Sequence, residues 1–155
     1  MKSVKLFLGS GLGSGLIPFA PGTWGSLFSL LPIYFLMATG NLFFIPAFVV
    51  LTSLLSLWVS SACEEHWGKD PGKLVMDEWA GQALTFTGII LVGDLQSDLL
   101  VLGVGFVFFR LFDILKPLGI NKLQKYDGGV GILLDDLLAG FYALICLKTL
   151  IFFWS

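Results

Sequence analysis

Between Lys5 and Glu64 the chain carries no charged side chain. A chain that folds in water normally has about one charged residue in four. Here the whole sequence is 13% charged and 56% hydrophobic, with 15 Phe and 5 Trp. One bilayer crossing needs about 20 apolar residues, so the uncharged stretch is long enough for two. Residues 1–155 are read as one membrane-embedded domain. The net charge of −2 gives no ground for nucleic-acid binding. Lys2 and Lys5 precede a glycine-rich apolar segment and a proline loop, a poor match to a cleavable signal peptide. The N-terminus is therefore expected to be retained.

Apolar runs at about 24–39, 42–62, 79–92, 99–112 and 137–154 predict an all-α, multi-pass transmembrane bundle of four to five helices. Gly40-Asn41 and the polar stretch Gly93–Asp98 read as turns on one side. Charged loops at Glu64–Glu78 and Arg110–Asp136 read as the other side. Lys2, Lys5, Lys69, Lys73, Arg110, Lys116, Lys122 and Lys125 all fall on that second side, and the two turns hold no Lys or Arg. The excess of basic residues makes that side cytoplasmic. A site built from the charged loops then faces the cytoplasm. Lys148, inside the last run, is expected to snorkel toward an interface.

Two segments repeat a pattern. Asp77-Glu78-Trp79-Ala80-Gly81 and Asp136-Leu137-Leu138-Ala139-Gly140 both read Asp-x-x-Ala-Gly, the second preceded by Asp135. An Asp four residues before a Gly shares its helical face, and the Gly admits a close neighbouring helix. Two such helices, packed there, bring Asp77 and Asp136 together, with Glu78 and Asp135 to either side. Crowded carboxylates at a membrane boundary repel one another. A divalent cation relieves that, and Mg²⁺ prefers hard oxygen ligands while keeping sites for water or phosphate. Acidic residues that simply complement a helix dipole are the other reading.

Arg110, Asp113 and Lys116 recur at i, i+3 and i+6 on a helix expected to end near Pro117. Arg offers bidentate phosphate binding and Lys a point charge. Asp113 either orients Arg110 or joins the metal set. Gly22-Thr23-Trp24-Gly25-Ser26 follows Pro18 and Pro21, with Thr23 a candidate N-cap. A helix start there suits a phosphate, and equally suits plain close packing. The Gly9–Gly15 run lacks the Lys-Ser/Thr ending of a phosphate-binding loop. Asp127-Gly128-Gly129-Val130-Gly131 reads as a loop, either a turn or a lid. Cys63 and Cys146 have no metal spacing, and Cys63 beside Glu64 and Glu65 is a poor nucleophile. His66 is the sole histidine and is read as a solvated surface group. Histidine-based metal or phosphohistidine chemistry has no second His to work with.

Taken together, four segments resemble the phosphatidylglycerophosphatase A family. They are Pro18-Phe-Ala-Pro-Gly-Thr-Trp-Gly-Ser26; Lys69-Asp-Pro71 with Asp77-Glu78-x-x-Gly81; Phe109-Arg-Leu-Phe-Asp-Ile-Leu-Lys-Pro117; and Gly128-Gly-Val-Gly-Ile-Leu-Leu-Asp-Asp-Leu-Leu-Ala-Gly140. Gly119 stands where the family pattern leads one to expect a second proline. The resemblance implies a Mg²⁺-dependent lipid phosphatase of the bacterial inner membrane. It would convert phosphatidylglycerophosphate, an anionic phospholipid in the bilayer, to phosphatidylglycerol and phosphate. On this reading Asp77, Glu78, Asp135 and Asp136 are the metal ligands. Arg110 and Lys116, with Gly22, Thr23 and Ser26, bind substrate. Asp77, Glu78, Arg110, Asp113, Lys116 and Asp136 are the catalytic set, with either water or an Asp carboxylate as nucleophile. The competing class is a small transporter or channel with a cytoplasmic-face cation site. Its ionisable groups would normally lie at mid-membrane, and here they gather at one end. The sequence leaves the oligomeric state open.

Overall fold

A computed structural model describes residues 1–117, 119–120 and 128–154. Lys122, Lys125 and Asp127 of the second charged loop lie outside the described residues. Among those described, the protein is all-helical, with no strand. Six α-helices follow one another: α1 (Lys2–Gly9), α2 (Pro21–Ala38), α3 (Phe44–Trp67), α4 (Met76–Thr85), α5 (Leu95–Leu115) and α6 (Gly129–Trp154). Helices α3 and α6 are long and apolar enough to cross a membrane.

Several boundaries differ from the sequence expectation, each for a local reason. Helix α2 starts at Pro21, whose fixed φ suits a first helical position, and Ala20 caps it in a left-handed conformation (φ 48). Thr23 is therefore inside the first turn rather than the N-cap. Helix α3 runs on through Glu64, Glu65 and His66 to Trp67, so the first charged loop begins later than expected. The third apolar run forms only a short helix of 10 residues. Helix α4 stops at Thr85, where Phe86 and Thr87 N–H groups turn back to Ala83 and Leu84 carbonyls and Gly88 takes φ 69. At 1.5 Å per residue its length is about 15 Å, half a hydrocarbon core. Helix α5 begins at Leu95, not Leu99, because the Asp94 carboxylate caps it by accepting from the Ser97 N–H at 3.0 Å. Helix α6 begins at Gly129, eight residues before Leu137, so Gly129–Gly131 are helical and not loop.

The packing is inside out by the standard of a water-soluble bundle. The buried face of α2 is Gly25, Ser26, Ser29, Ile33 and Met37, while Phe28, Leu31 and Phe35 are exposed. Helix α3 buries Thr52, Ser56, Ser60 and Cys63 and exposes Leu51, Leu54 and Trp58. Small and polar residues inside with large apolar residues outside is the arrangement of helices surrounded by lipid. Helix α4 sits at the centre, packed against α2, α3, α5 and α6. Ile33, Ala83, Phe86, Leu102 and Leu147 form one core around its far end. Val59, Cys63, Leu74, Met76 and Trp79 form another around its start.

Glycines set the approach distances. The run Gly9–Gly15 is a packing device: a Cβ at Gly9 would lie 2.5 Å from Cys63 Sγ, and one at Gly15 the same distance from the Lys73 carbonyl oxygen. The Gly9 carbonyl accepts from the Val75 N–H at 2.9 Å, which fixes the strand of chain entering α4. Lys148 reaches to within 3.0 Å of where a Gly88 Cβ would be, so its ammonium lies at the turn after α4.

Candidate active site

Helices α4 and α6 cross at their repeated glycines. A Cβ on Gly81 would stand 2.5 Å from the Asp136 carbonyl oxygen and 2.6 Å from the Phe109 ring. A Cβ on Gly140 would collide with the Gly81 carbonyl oxygen. Backbone therefore meets backbone, and the Asp one turn before each glycine is carried to the same place. Asp77, Glu78 and Asp136 present carboxylate oxygens all within 4.8 Å of one another. Asp77 is 2% exposed and Asp136 4%, so burial leaves their charges little contact with solvent. Asp77 Oδ1 and Glu78 Oε2 are buried and have no hydrogen-bond partner among the described residues.

The dipole explanation separates the two aspartates. Asp77 and Glu78 lie in the first turn of α4. Asp136 does not benefit in this way, since α6 starts at Gly129 and has no acidic residue in its first turn. The repeated segments are thus not two helix starts. One is a start and the other lies two turns inside a longer helix.

The last turn of α5 supplies the cations. Arg110 Nη1 donates to Asp113 Oδ2 and to Ser26 Oγ, the latter at 3.4 Å. Ser26 Oγ in turn donates to the Gly22 carbonyl at 2.8 Å. A Cβ on Gly22 would meet Glu78 Oε1 and lie 3.4 Å from both terminal nitrogens of Arg110. Gly22 is thus a slot that lets the guanidinium lie beside the Glu78 carboxylate. Thr23 has its N–H engaged by the Ala20 carbonyl at 3.0 Å. None of Gly22, Thr23 and Ser26 lines the cleft itself. Lys116 caps α5 in a left-handed conformation (φ 45) and donates to Asp135 Oδ2. Burial lowers the Lys116 pKa, but the hydrogen bond and charge of Asp135, then the charges of Asp136 and Asp113, outweigh it and hold the ammonium above its ordinary value.

Beside these groups lies a cleft of about 150 Å³ whose wall includes Asp77, Glu78, Asp113, Lys116, Asp135 and Asp136; Arg110 is not among its lining residues and stands behind Glu78 and Asp113. Glu64, Lys69 and Asp70 complete its rim. The sequence reading gave none of the three a role. Lys69 and Asp70 stand in a quoted segment without a repeat to single them out, and Glu64 reads as loop until α3 is seen to continue past it. Cys63 is buried against Gly9, and His66 is exposed beside Trp67.

The carboxylates therefore divide. Asp113 pairs with Arg110 and Asp135 with Lys116. Asp77, Glu78 and Asp136 form a trio, and Arg110, which lies beside Glu78 at the Gly22 slot, is itself paired with Asp113. Such a trio is suited to a hard divalent cation, and the flanking Arg and Lys are suited to a phosphate.

Known proteins resemble this chain along nearly its whole length. A family model described as phosphatidylglycerophosphatase A matches residues 7–151. A Bacteroides thetaiotaomicron protein, provisionally named a phosphatidylinositol-3-phosphatase, is 38% identical over 94% of this chain and 92% of its own. Phosphatidylglycerophosphatase A of Haemophilus influenzae is 38% identical over 89% of this chain and 83% of its own. The Escherichia coli protein of the same name is 33% identical over 86% and 75%. No solved structure matches. With nearly the whole chain matched and the repeated Asp segments meeting at one crossing, the chain belongs to the phosphatidylglycerophosphatase A family.

Proposed function

We propose that this protein hydrolyses the terminal phosphate of phosphatidylglycerophosphate, giving phosphatidylglycerol and phosphate, at the cytoplasmic face of a bacterial inner membrane. The observation that carries the reading is the Asp77–Glu78–Asp136 trio, three carboxylates within 4.8 Å with two buried oxygens lacking a donor. Oxygens on opposite sides of a Mg²⁺ ion with bonds of about 2.1 Å stand about 4.2 Å apart, so three carboxylates within 4.8 Å need to close by only a few tenths of an ångström to hold such an ion. Asp77, Glu78 and Asp136 would hold it, and Asp135 would serve by holding Lys116. When bound, the cation supplies Lewis-acid polarisation of a phosphoryl oxygen.

The chain's own residues do the rest. Arg110 and Lys116 neutralise charge on the phosphoryl group as it transfers. Asp113, Ser26 and Gly22 hold Arg110 in its slot. The groove depth suits a headgroup phosphate, since the charged residues gather at one end of helices whose outer faces are apolar. The five segments α2 to α6 alternate in direction, with α4 only partway, which places the N-terminus and the charged cleft together. The basic residues at that end favour the cytoplasmic side.

The direct test is phosphate release from phosphatidylglycerophosphate in detergent, with and without EDTA. We expect release that EDTA abolishes and Mg²⁺ restores. Release insensitive to EDTA would overturn the metal assignment, and no release would overturn the substrate. Asp77→Asn and Asp136→Asn should each lower turnover by about 10²-fold or more, with membrane insertion unchanged. Near-normal turnover in both would remove the trio from the mechanism.

A further inference from the structure

Gln82 lies in α4, one turn beyond Glu78, and is fully buried. Neither Nε2 nor Oε1 has a hydrogen-bond partner among the described residues. A buried primary amide with both ends unmet is costly, and each such group in a folded protein calls for a reason. Packing is not the reason, since methionine has nearly the same length and no polar atom to satisfy.

The surroundings narrow the choice. Residues at i and i+4 on a helix have Cβ atoms about 5–6 Å apart, so Gln82 and Glu78 reach one another by ordinary rotamer change. Glu78 Oε2 is a buried acceptor without a donor. Its other oxygen, Oε1, lies at Gly22 beside the Arg110 guanidinium. The buried hydroxyls of Ser26, Ser29 and Thr85 already donate to the carbonyls of Gly22, Ser26 and Gly81. They have no proton left for Glu78. Arg110 Nε is also buried without a partner, but the terminal nitrogens of that guanidinium lie at Gly22 with Glu78 Oε1, so on Glu78's own helix face Gln82 Nε2 is the donor without an acceptor and Oε2 the acceptor without a donor.

We propose that Gln82 is a positioning residue: its amide N–H donates to Glu78 Oε2 and sets the carboxylate in the orientation that a divalent cation requires. This deepens the phosphatase reading and rests on it. Partners behind a metal ligand typically change metal affinity by about 10–100-fold when removed.

The test uses Gln82→Met and Gln82→Leu in the full chain purified in detergent. Two quantities are read: binding of Mn²⁺ alone by electron paramagnetic resonance, and the thermal midpoint without metal. We expect Mn²⁺ affinity to fall about 10-fold or more, with a thermal midpoint equal to or above that of the unchanged protein. Unchanged Mn²⁺ affinity in either folded variant would overturn the proposal. A lowered midpoint with unchanged affinity would assign the amide to the core instead, as would failure of both variants to fold. If the unchanged protein itself does not bind Mn²⁺, both this inference and the metal-dependent reading fail. Binding that is equal in the unchanged protein and the variants sinks only the role of Gln82.

Discussion

Asp135 and Asp136 are neighbours in sequence with different duties. Successive helical residues point about 100° apart, so one meets Lys116 and the other joins the trio. Lys116→Met would take its ammonium away from Asp135, which is 3% exposed. Breaking such a pair typically costs about 3–5 kcal/mol. We expect a lower thermal midpoint for Lys116→Met. Adding Asp135→Asn should recover most of that loss, while turnover stays low because the cation for phosphate is gone. Recovery of turnover in the double variant would show that Lys116 serves only the fold. The raised pKa of Lys116 also has a sign to check. Stability from a raised lysine is complete below the unfolded pKa of about 10.4 and lost only as pH rises through the folded value. The stability difference between the protein and Lys116→Met should then stay constant from about pH 6 to 9. At this scale the sequence was informative where residues repeat. Asp-x-x-Ala-Gly, written twice, brought Asp77 and Asp136 together on paper. The split of Asp135 from Asp136 was hidden, because it depends on the rotation of a helix whose start was misplaced.

Helix α4 and its crossing with α6 hold the site in register. Gly81→Ala and Gly140→Ala both drive a methyl group into backbone, which cannot swing aside as a side-chain end would. Overpacking costs about 1–3 kcal/mol, and here it also spreads the trio. Both variants should unfold at lower temperature and lose turnover together. Gly103→Ala is the control, since nothing lies within 4 Å of its added Cβ. Replacing a helical glycine in open space should stabilise by about 0.5–1 kcal/mol and leave turnover unchanged. The lengths of these two helices were not legible. The apolar run after Thr85 continues to Val92, so hydropathy alone extends α4 past its real end. Gly128-Gly-Val-Gly131 has poor helix propensity, but Gly129 fits against Ser60 only as a glycine, and that contact outweighs the propensity.

For the molecule as a whole, the alternation of helix directions predicts which ends face which compartment. With Cys63 and Cys146 replaced by Ser, cysteines introduced at Asn41 and Gln96 should react with a membrane-impermeant maleimide from outside intact cells. One at Lys73 should react only after the membrane is opened. The reverse pattern would invert the orientation while leaving the fold intact. The grouping of charged segments at one end was readable from Lys and Arg counts alone. The length of α4 was not, because a short helix packed against α2, α3, α5 and α6 is held by its neighbours rather than by its own run of apolar residues. The α4–α6 crossing has a further consequence for altering what the enzyme accepts. Where two backbones already touch, any added volume forces the helices apart and disturbs the trio, so the crossing leaves little room for change. A larger or differently charged headgroup must be accommodated at the rim, by changes at Glu64, Lys69 and Asp70. Attempts to retune substrate range are best begun there, leaving the crossing untouched.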